Sequence, residues 1–582
     1  MSREMEITKT DSRIELLILI SKMSFSSAIV LTDLNDFITP SQACIKPTLI
    51  KTVADSKSIS TVQSDSLGNY YEVTKEGTQT KLEAAAISLT DCLSCSGCVT
   101  SAEAILITQQ SHKEIYNTIE ANSALAKDQR AQICISICPQ SRASLAAKYN
   151  LTTRQIRRRL TWFFKDHFKM DHVLDTAFSR DFALLESAHE FVRRYKARSD
   201  TSLLQHMPMI TSACPGICSS WICYAEKTHS AILPLIDTTK SPQQIMGSLV
   251  KDYYANQLNV NPDRIYHITV MPCYDKKLEA SRQDFYNDIY KTRDVDCVIS
   301  TGEVERMIQE EGLDISTMQE TEEDLIFGAH GRSEGSSSGG YLAYVMRFSA
   351  KALFGVDLTP LDIQEGTNGI TIVAGRNPDS TDVLFTPPGF DEPALRFAYS
   401  YGFRNIQNLI RKVKPGKPAT TLLNPRRVRS STALASGKYN YVEVMACPSG
   451  CINGGGQLKP EPQLKSEKTQ TFESKDSVNT IELDLEIQST AQPPLIESTA
   501  SASSLTTDGT LSGKQWISRA ESMYRSADES IELPETNAVI KRLYAEWLGG
   551  EDTEKSRKML HTGYHSVEPL TSSTTAGLIT KW

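Results

Sequence analysis

EVMACPSGCINGGGQ, residues 443–457, carries more chemical information than any other segment of this 582-residue sequence. Tyr441, Val442 and Val444 predict a short buried strand that leads directly into Cys447 and Cys451. Three consecutive glycines follow, and glycine lets a backbone approach its neighbours closely or adopt a positive φ. Two thiols at the start of such a loop indicate a metal centre. The alternative, a pair of core cysteines before a glycine turn, would leave the other cysteine loops of the chain unexplained.

The overall cysteine content fits metal chemistry better than a disulfide scaffold. The chain has 13 cysteines, which is an odd number and a low density, and they cluster at ligand-like spacings. A net charge of −8 gives no reason to expect nucleic-acid binding. No apolar run is long enough to cross a membrane. We therefore expect a soluble cytoplasmic protein that binds neither nucleic acid nor membrane.

The first dense cysteine group is Cys92, Cys95 and Cys98, which follow the C-x2-C-x2-C pattern of iron–sulfur proteins. The tight loop brings three sulfurs to one side. Val99 stands where the usual bacterial run continues toward a fourth cysteine, so that ligand must come from elsewhere, and Cys44 is the nearest candidate. Zinc held by three thiolates and a distant fourth is the alternative.

Two further strand–cysteine segments precede the glycine loop. The run 208–213 predicts a strand that leads to Cys214, and the run 267–272 predicts a strand that leads to Cys273. Strands alternate with helical patterns between about residues 200 and 457. That alternation is typical of α/β architecture with parallel strands.

Several remaining features are predicted to be structural. Cys134 and Cys138 fall in the pattern of a buried strand and are expected to pack as core residues, as is Cys297 in another strand. The glycine-rich segment 335–340 resembles a phosphate-binding loop but lacks the lysine of the Walker motif, so we predict no nucleotide site. Helices are predicted over residues 141–168, 179–198, 341–354, 396–412 and around 537–547.

We divide the chain into five segments. Residues 462–512 are rich in Ser, Thr, Gln and Pro, which is typical of disorder. The predicted segments are 1–22, an extension or start-site artefact; 23–115, an N-terminal iron–sulfur domain; 116–461, an α/β domain; 462–535, a disordered insertion; and 536–582, a C-terminal segment. Within the last segment, His561 and His565 are expected to have a packing or surface role rather than to bind metal.

The three cysteine loops and the N-terminal cysteine run together resemble the iron-only hydrogenases, whose loops follow the patterns TSCCP, MPCxxKxxE and ExMACxxxCxxGGGQ. The second and third patterns are matched in full, at Met271, Pro272, Cys273, Lys276, Glu279, Glu443, Met445, Ala446, Cys447, Cys451, Gly454, Gly455, Gly456 and Gln457. The resemblance covers nearly everything from about residue 23 onward, except residues 462–535. It implies an α/β, iron-only-hydrogenase-like fold, with two α/β lobes around a buried cluster, a small N-terminal cluster-binding domain and a C-terminal small-subunit-like cap.

The first loop departs from the hydrogenase pattern. Ala213 stands where those enzymes have the cysteine that shuttles protons to their two-iron site, and an alanine side chain cannot transfer a proton. With segments 33–38, 88–98 and 139–146 and the last residue, Trp582, the chain resembles a eukaryotic hydrogenase-like branch. Its members are the cytosolic iron–sulfur assembly factors, also described as nuclear-prelamin-A-recognition-factor-like proteins. The resemblance implies that this protein is not an enzyme.

The resemblance to this branch also implies two 4Fe-4S clusters. The implied ligands are Cys44, Cys92, Cys95 and Cys98 for the first cluster, and Cys214, Cys273, Cys447 and Cys451 for the second. Residues 217–220 look like an insertion after the first loop, and they add Cys218 as a rival of Cys214.

The family role implied by the resemblance is to link early cytosolic iron–sulfur scaffold proteins to a late targeting complex with β-propeller and HEAT-repeat subunits. Trp582 is the implied anchor for that complex, because aromatic residues are good binding hot spots. The implied location is cytoplasmic, with the nucleus left open as a second one. A working iron-only hydrogenase is one alternative, favoured by Lys276, which contacts the two-iron unit in those enzymes. A zinc-stabilised interaction protein is the other.

Overall fold

The computed structural model describes residues 61–64, 70–73, 79–81, 110–199, 207–214, 230–324, 326–327, 335–375, 377–413, 439–460, 512–525 and 533–565. Five predicted cysteine positions, Cys44, Cys92, Cys95, Cys98 and Cys218, lie outside these ranges, as does Trp582. Within the ranges, none of the helices combines the length and the apolarity that crossing a lipid bilayer requires.

The strands are β1 (Thr61–Ser64), β2 (Tyr70–Val73), β3 (Gln79–Lys81), β4 (Gln132–Ile137), β5 (His172–Asp175), β6 (Met209–Thr211), β7 (Ile265–Met271), β8 (Tyr286–Asn287), β9 (Thr292–Arg293), β10 (Cys297–Ser300), β11 (Ile370–Ala374), β12 (Ser380–Phe385), β13 (Leu395–Tyr401) and β14 (Tyr441–Met445). The α-helices are α1 (His112–Ser123), α2 (Pro139–Tyr149), α3 (Thr153–Thr161), α4 (Thr176–Lys196), α5 (Pro242–Ser248), α6 (Ala255–Leu258), α7 (Asp275–Ala280), α8 (Thr301–Glu310), α9 (Tyr341–Phe354), α10 (Pro360–Glu365), α11 (Phe403–Val413), α12 (Gly513–Tyr524), α13 (Ala538–Leu543) and α14 (Glu554–Leu560).

One large sheet has four parallel strands in the order β10-β7-β4-β5. Every residue of β4 after Gln132 is buried, as expected for a parallel strand covered on both faces. Leu145 of α2, Ile156 of α3, Met307 of α8 and Trp516 of α12 belong to the core that covers this sheet. The predicted α/β architecture with parallel strands is therefore confirmed here.

The other large sheet has five strands in the order β11-β12-β13-β14-β6. Strands β13, β14 and β6 run parallel, whereas β11, β12 and β13 are antiparallel neighbours. The ring of Phe191 on α4 lies 5.0 Å from Phe397 on β13 and 5.7 Å from Tyr441 on β14. Tyr341 and Val345 of α9 belong to the same core. Cys134 of β4 belongs to this core as well, so the core joins the two large sheets. The two sheets with their helices give the two α/β lobes that the resemblance implied.

The C-terminal segment packs against helix α4 through polar contacts. The Tyr544 hydroxyl donates a hydrogen bond to Glu186, 2.5 Å away, and His561 Nε2 lies 3.0 Å from the same carboxylate. The other ring nitrogen of His561 lies 2.9 Å from the Thr238 hydroxyl and 3.7 Å from Glu190. The His565 side chain is 75% exposed. The predicted packing role is therefore confirmed for His561 and the predicted surface role for His565.

The contacts of His561 predict a pH-dependent stability. Burial disfavours its charge, but the hydrogen bond and the negative charge of Glu186 raise the pKa of His561 above its ordinary value. A raised pKa in the folded state adds stability that is fully present below the unfolded pKa and is lost as pH rises through the folded pKa. As pH rises from the unfolded pKa through the folded pKa of His561, we expect Tm to fall in the wild type and to fall less in His561→Gln. The exposed His565→Gln is the matched control, and an unchanged pH profile in His561→Gln would contradict this account.

One predicted helix is in fact two. The predicted helix 141–168 is interrupted where α2 ends, because Asn150 adopts a left-handed conformation with a φ of 52°. Asparagine tolerates this conformation better than most residues. Helix α3 then begins at Thr153, after the N-cap residue Thr152, whose side chain forms a capping box with Gln155.

The predicted helix 396–412 was wrong over its first half. Residues 395–401 form strand β13, and α11 begins only at Phe403. Phe397, Tyr401 and Leu409 have a spacing that also fits one helix face, so the sequence pattern was ambiguous. Pairing of β13 with both β12 and β14 places this segment inside the sheet, and tertiary hydrogen bonds override the local preference.

The prediction of disorder over residues 462–535 was wrong for residues 513–524, which form a helix. Helix α12 lies inside this range, and its Trp516 is buried and donates a hydrogen bond to the Leu458 carbonyl, 2.9 Å away. Ser512 caps the helix through a capping box with Gln515. The low-complexity composition of the preceding residues hid one amphipathic helix that is stabilised by packing on α2.

Candidate metal centre

The first and third cysteine loops leave adjacent parallel strands. Thr211 of β6 is paired with Glu443 of β14, so both strands end at the same edge of the sheet. Between them, the Ser212 hydroxyl donates a hydrogen bond of 2.6 Å to the Val444 carbonyl and accepts one of 3.1 Å from the Cys214 amide. This places Cys214 in the same apolar cluster as Ala446 at the start of the third loop.

The second cysteine loop comes from the other sheet and is joined to the third by backbone hydrogen bonds. Strand β7 ends at Met271, and Cys273 follows immediately before helix α7. The Gly456 amide donates to the Pro272 carbonyl at 3.0 Å, and the Gly456 carbonyl accepts from the Gly302 amide at 3.0 Å. The glycine run of the third loop therefore connects the strand ends of the two sheets.

The glycines of the third loop are required by close backbone contacts. A Cβ atom at Gly454 would lie closer than 3.0 Å to the Pro272 carbonyl oxygen, and one at Gly456 would lie closer than 3.0 Å to Ser300. Gly450 has a φ of +83° and leaves no room for a Cβ atom beside Ser338. Only glycine allows the loop to wrap this tightly.

Four cysteines of the three loops lie close enough to influence one another electrostatically. Burial raises the pKa of Cys273 well above its ordinary value, and the charges of Asp275, Cys214, Cys447 and Cys451 raise it further. Burial and then Cys451 raise the pKa of Cys447 to about 12. The structure therefore brings together the four cysteines that were predicted for the second cluster.

This donor set suits a multinuclear iron centre. Four thiols that raise one another's pKa would be stabilised as thiolates by a shared cationic group, and a four-iron cube takes one thiolate at each iron. In the described part of the chain, no three His, Cys, Asp or Glu side chains lie close enough together to hold a single metal ion. Cys214 is buried and the other three cysteines are half-buried, and together with the glycine cradle they are the residues that would hold the implied cluster.

The glycine-rich segment 335–340 lies against the cysteine loops. A Cβ atom at Gly339 would lie 3.9 Å from the Ala213 side chain, and Ser338 lies against Gly450. Helix α9, which follows, begins where the Leu342 amide donates a 2.7 Å hydrogen bond to Glu443. The segment therefore forms a wall beside the first and third loops.

Two buried ionisable residues, Glu443 and Lys276, lie next to the cysteine loops. Glu443 also accepts a 2.9 Å hydrogen bond from the Tyr401 hydroxyl, and its burial raises its pKa to about 7. Lys276 Nζ lies 2.8 Å from Glu279 in a buried ion pair. Burial disfavours the charge of Lys276, but Glu279 keeps its pKa above the ordinary value. Glu443 and Glu279 thus have structural partners that the motif alone did not indicate.

Cys138 is a further thiol that the sequence analysis assigned only to the core. Its side chain is buried, as predicted, but it lies just after the end of β4 rather than within the strand. The sequence pattern that could have placed Cys138 at a strand end is a predicted strand followed by Cys-Pro, which also occurs at Cys214 and Cys447.

Comparison with known proteins is consistent with this architecture. The family model "Iron only hydrogenase large subunit, C-terminal domain" matches residues 131–455, and "Iron hydrogenase small subunit" matches residues 516–567. Among solved structures, the [FeFe]-hydrogenase HydA1 from Chlamydomonas reinhardtii has a TM-score of 0.56 at 22% sequence identity, covering 78% of this chain and 99% of that one. At this identity the likeness concerns the fold alone.

Relatives of similar length are more alike in sequence. The "Cytosolic Fe-S cluster assembly factor narfl" of Xenopus tropicalis is 42% identical over 565 residues, covering 96% of this chain and 99% of the relative. The "Cytosolic iron-sulfur assembly component 3" of Rattus norvegicus is 43% identical over 567 residues with the same coverage. The chain therefore belongs to the cytosolic iron–sulfur cluster assembly factor family, and it has the iron-only hydrogenase fold.

Proposed function

We propose that this protein is a non-catalytic component of the cytosolic iron–sulfur protein assembly machinery that binds two 4Fe-4S clusters. The observation that carries the proposal is the meeting of four cysteines from two sheets, one of them buried and three half-buried, beside an alanine at position 213. The names of the relatives support the cellular role. The machinery that they name is cytosolic, and we propose the same location for this chain.

The second cluster is proposed to bind Cys214, Cys273, Cys447 and Cys451. When bound, the iron–sulfur cluster would supply iron to four thiols whose closeness is otherwise electrostatically unfavourable. Metal binding would therefore be coupled to folding. The protein contributes the cradle, because the Gly456–Pro272 and Gly302–Gly456 hydrogen bonds hold the second and third loops together.

The first cluster is proposed to bind Cys44, Cys92, Cys95 and Cys98. This assignment rests on the C-x2-C-x2-C spacing and on the family resemblance. The second cluster, proposed to lie among three strand-end loops, is suited to retention.

Ala213 is the reason to propose an assembly factor rather than a hydrogenase. Its methyl group has no proton to donate or accept, and Lys276, the residue that favours the enzyme, is paired with Glu279. The proton-transfer group is therefore missing at position 213, whereas Lys276 and Glu279 both belong to the hydrogenase pattern and do not distinguish the two functions.

Metal analysis tests this proposal. Protein purified anaerobically from its own cells is expected to contain about eight irons and about eight acid-labile sulfides per chain, as two four-iron clusters require. About two additional irons would instead support the hydrogenase alternative, with a two-iron subsite. Zinc in place of iron and sulfide would support the zinc-stabilised interaction protein and overturn the proposal.

The partners are proposed to be early cytosolic scaffold proteins and a late targeting complex with β-propeller and HEAT-repeat subunits. Deleting Trp582 is expected to weaken capture of that complex about 30-fold, as for a hot-spot aromatic worth about 2 kcal/mol. Both clusters should remain, because none of the proposed ligands changes. Lys581→Ala is the matched control, and equal pull-down by wild type and the deletion would rule out this role.

A further inference from the structure

The hairpin of β8 and β9 presents two adjacent apolar side chains to solvent. Its strands are antiparallel neighbours, and residues 288–291 form the loop between them. Ile289 is 85% exposed, the highest value for a large hydrophobic side chain in the described part of the chain, and Tyr290 is 39% exposed. A single exposed aliphatic residue needs no explanation, but an aliphatic and an aromatic residue side by side at a hairpin tip mark a candidate protein contact.

The tip is held in one conformation by its own hydrogen bonds. The Asn287 side-chain oxygen accepts the Ile289 amide at 3.0 Å and the Tyr290 amide at 3.2 Å. Lys291 closes the loop with a left-handed φ of 53°. Because a side-chain-to-backbone turn of this kind fixes the loop, less conformational entropy is lost when another protein covers it.

The base of the hairpin is fixed to the end of helix α7, the helix that follows the second cysteine loop. The Arg293 guanidinium donates hydrogen bonds to the Ala280 carbonyl at 3.4 Å and to the Arg282 carbonyl at 3.2 Å. It also lies 5.2 Å from the centre of the Tyr286 ring. The exposed tip therefore has a fixed position relative to the body of the protein.

The C-terminal segment reaches the residues that immediately precede this hairpin. The Gly563 carbonyl accepts a hydrogen bond of 3.4 Å from Arg282, whose guanidinium lies 5.7 Å from the Tyr564 ring. One residue later, His565 Nε2 lies 3.4 Å from the Asp284 carboxylate. The last described residues of the chain therefore lie beside the start of β8.

The charges beside the two apolar residues cancel. Asp288 precedes them and Lys291 follows them, so the tip has one negative and one positive group. It therefore has no single-sign potential that would attract a nucleic acid or a charged membrane surface. The ligand that such a tip fits is an apolar pocket on another protein.

We propose that the tip formed by Ile289 and Tyr290 is a second contact with the partner protein that Trp582 anchors, and that it inserts into an apolar pocket of that partner. The inference rests on the proposed function, because the Trp582 anchor belongs to it. Only 17 residues, 566–582, follow His565, and they span at most about 60 Å. A partner bound at Trp582 is thus held near the hairpin, and its second binding event becomes intramolecular.

Capture of the purified targeting complex by the full chain tests the proposal. Ile289→Ser is expected to weaken capture about 10-fold, as for an apolar hot spot, and by the same factor at low and high salt. Leu361→Ser is the matched control, because Leu361 is an exposed aliphatic residue of helix α10, and it should bind like wild type. Iron content and Tm should be unchanged in Ile289→Ser, since the side chain is exposed.

The outcomes separate this contact from the proposed function. Failure of wild type to capture the complex would overturn the proposed partner and the hairpin contact together. If wild type captures the complex and deletion of Trp582 weakens capture, but Ile289→Ser binds like wild type, only the hairpin contact is overturned. Equal losses in Ile289→Ser and Leu361→Ser would also overturn it.

Sedimentation of the chain without its partner checks the other occupant of the tip. Wild type and Ile289→Ser are expected to have the same mass at every concentration. A concentration-dependent dimer that Ile289→Ser abolishes would show that the tip contacts a second copy of this chain, and the proposed contact would be wrong.

Discussion

Replacing Cys273 by alanine is expected to remove the buried cluster, so that iron falls from about eight to about four per chain. Cys273 follows β7 of one sheet, whereas Cys214, Cys447 and Cys451 follow strands of the other sheet. Without Cys273, the cluster loses its only proposed ligand from the first sheet. Because metal binding is coupled to folding, we also expect Tm to fall by roughly 5 °C or more.

Cys297→Ala is the matched control for this experiment. Cys297 is a buried thiol in β10, the neighbour of β7, and is 1% exposed. Its replacement removes one buried sulfur and leaves a small cavity, which is expected to cost about 1 kcal/mol with no loss of iron. Normal iron content and an unchanged Tm in Cys273→Ala would show that the strand-end loops do not share a cluster.

Replacing Gly454 by alanine is expected to separate the second and third loops. The new Cβ atom would lie closer than 3.0 Å to the Pro272 carbonyl oxygen, a backbone atom that cannot rotate away. Relief of this clash requires a backbone shift that breaks the neighbouring Gly456–Pro272 hydrogen bond. We expect a loss of stability of roughly 1–3 kcal/mol and a reduced iron content of the second cluster, measured by Tm and metal analysis.

The matched control for this prediction is Gly513→Ala. A Cβ atom at Gly513 would meet nothing within 4 Å, and the residue begins helix α12. Alanine is a better helix former than glycine, so stability should stay equal or rise by up to about 1 kcal/mol. Similar Tm and iron content in Gly454→Ala and wild type would mean that the loop tolerates the added methyl group.

Helix α9 is the clearest case in which local sequence was sufficient. The predicted bounds, 341–354, agree with the observed helix because Gly340 and Gly355 flank it in left-handed conformations. The strands before Cys214, Cys273 and Cys447 were found for a similar reason, since buried strands are continuous apolar runs. Both patterns can be recognised from residues that are adjacent in the sequence.

Strand β13 and helix α12 are the cases in which local sequence was insufficient. Strand β13 was predicted as a helix because the spacing of its apolar residues fits both the helical and the strand period. Its pairing with β12 and β14 decided in favour of the strand. The second was hidden by the polar composition before it, and Trp516 becomes informative only once it is packed against the first sheet's core.

The amino-acid sequence by itself determined which thiols are available, their spacing within each loop, and the absence of a thiol at position 213. These are local properties, since a motif is a run of neighbouring residues. The tertiary structure decided which loops meet. Two sheets align their strand ends across the hydrogen bonds of Gly456, which brings Cys214, Cys273 and Cys451 together from distant parts of the chain.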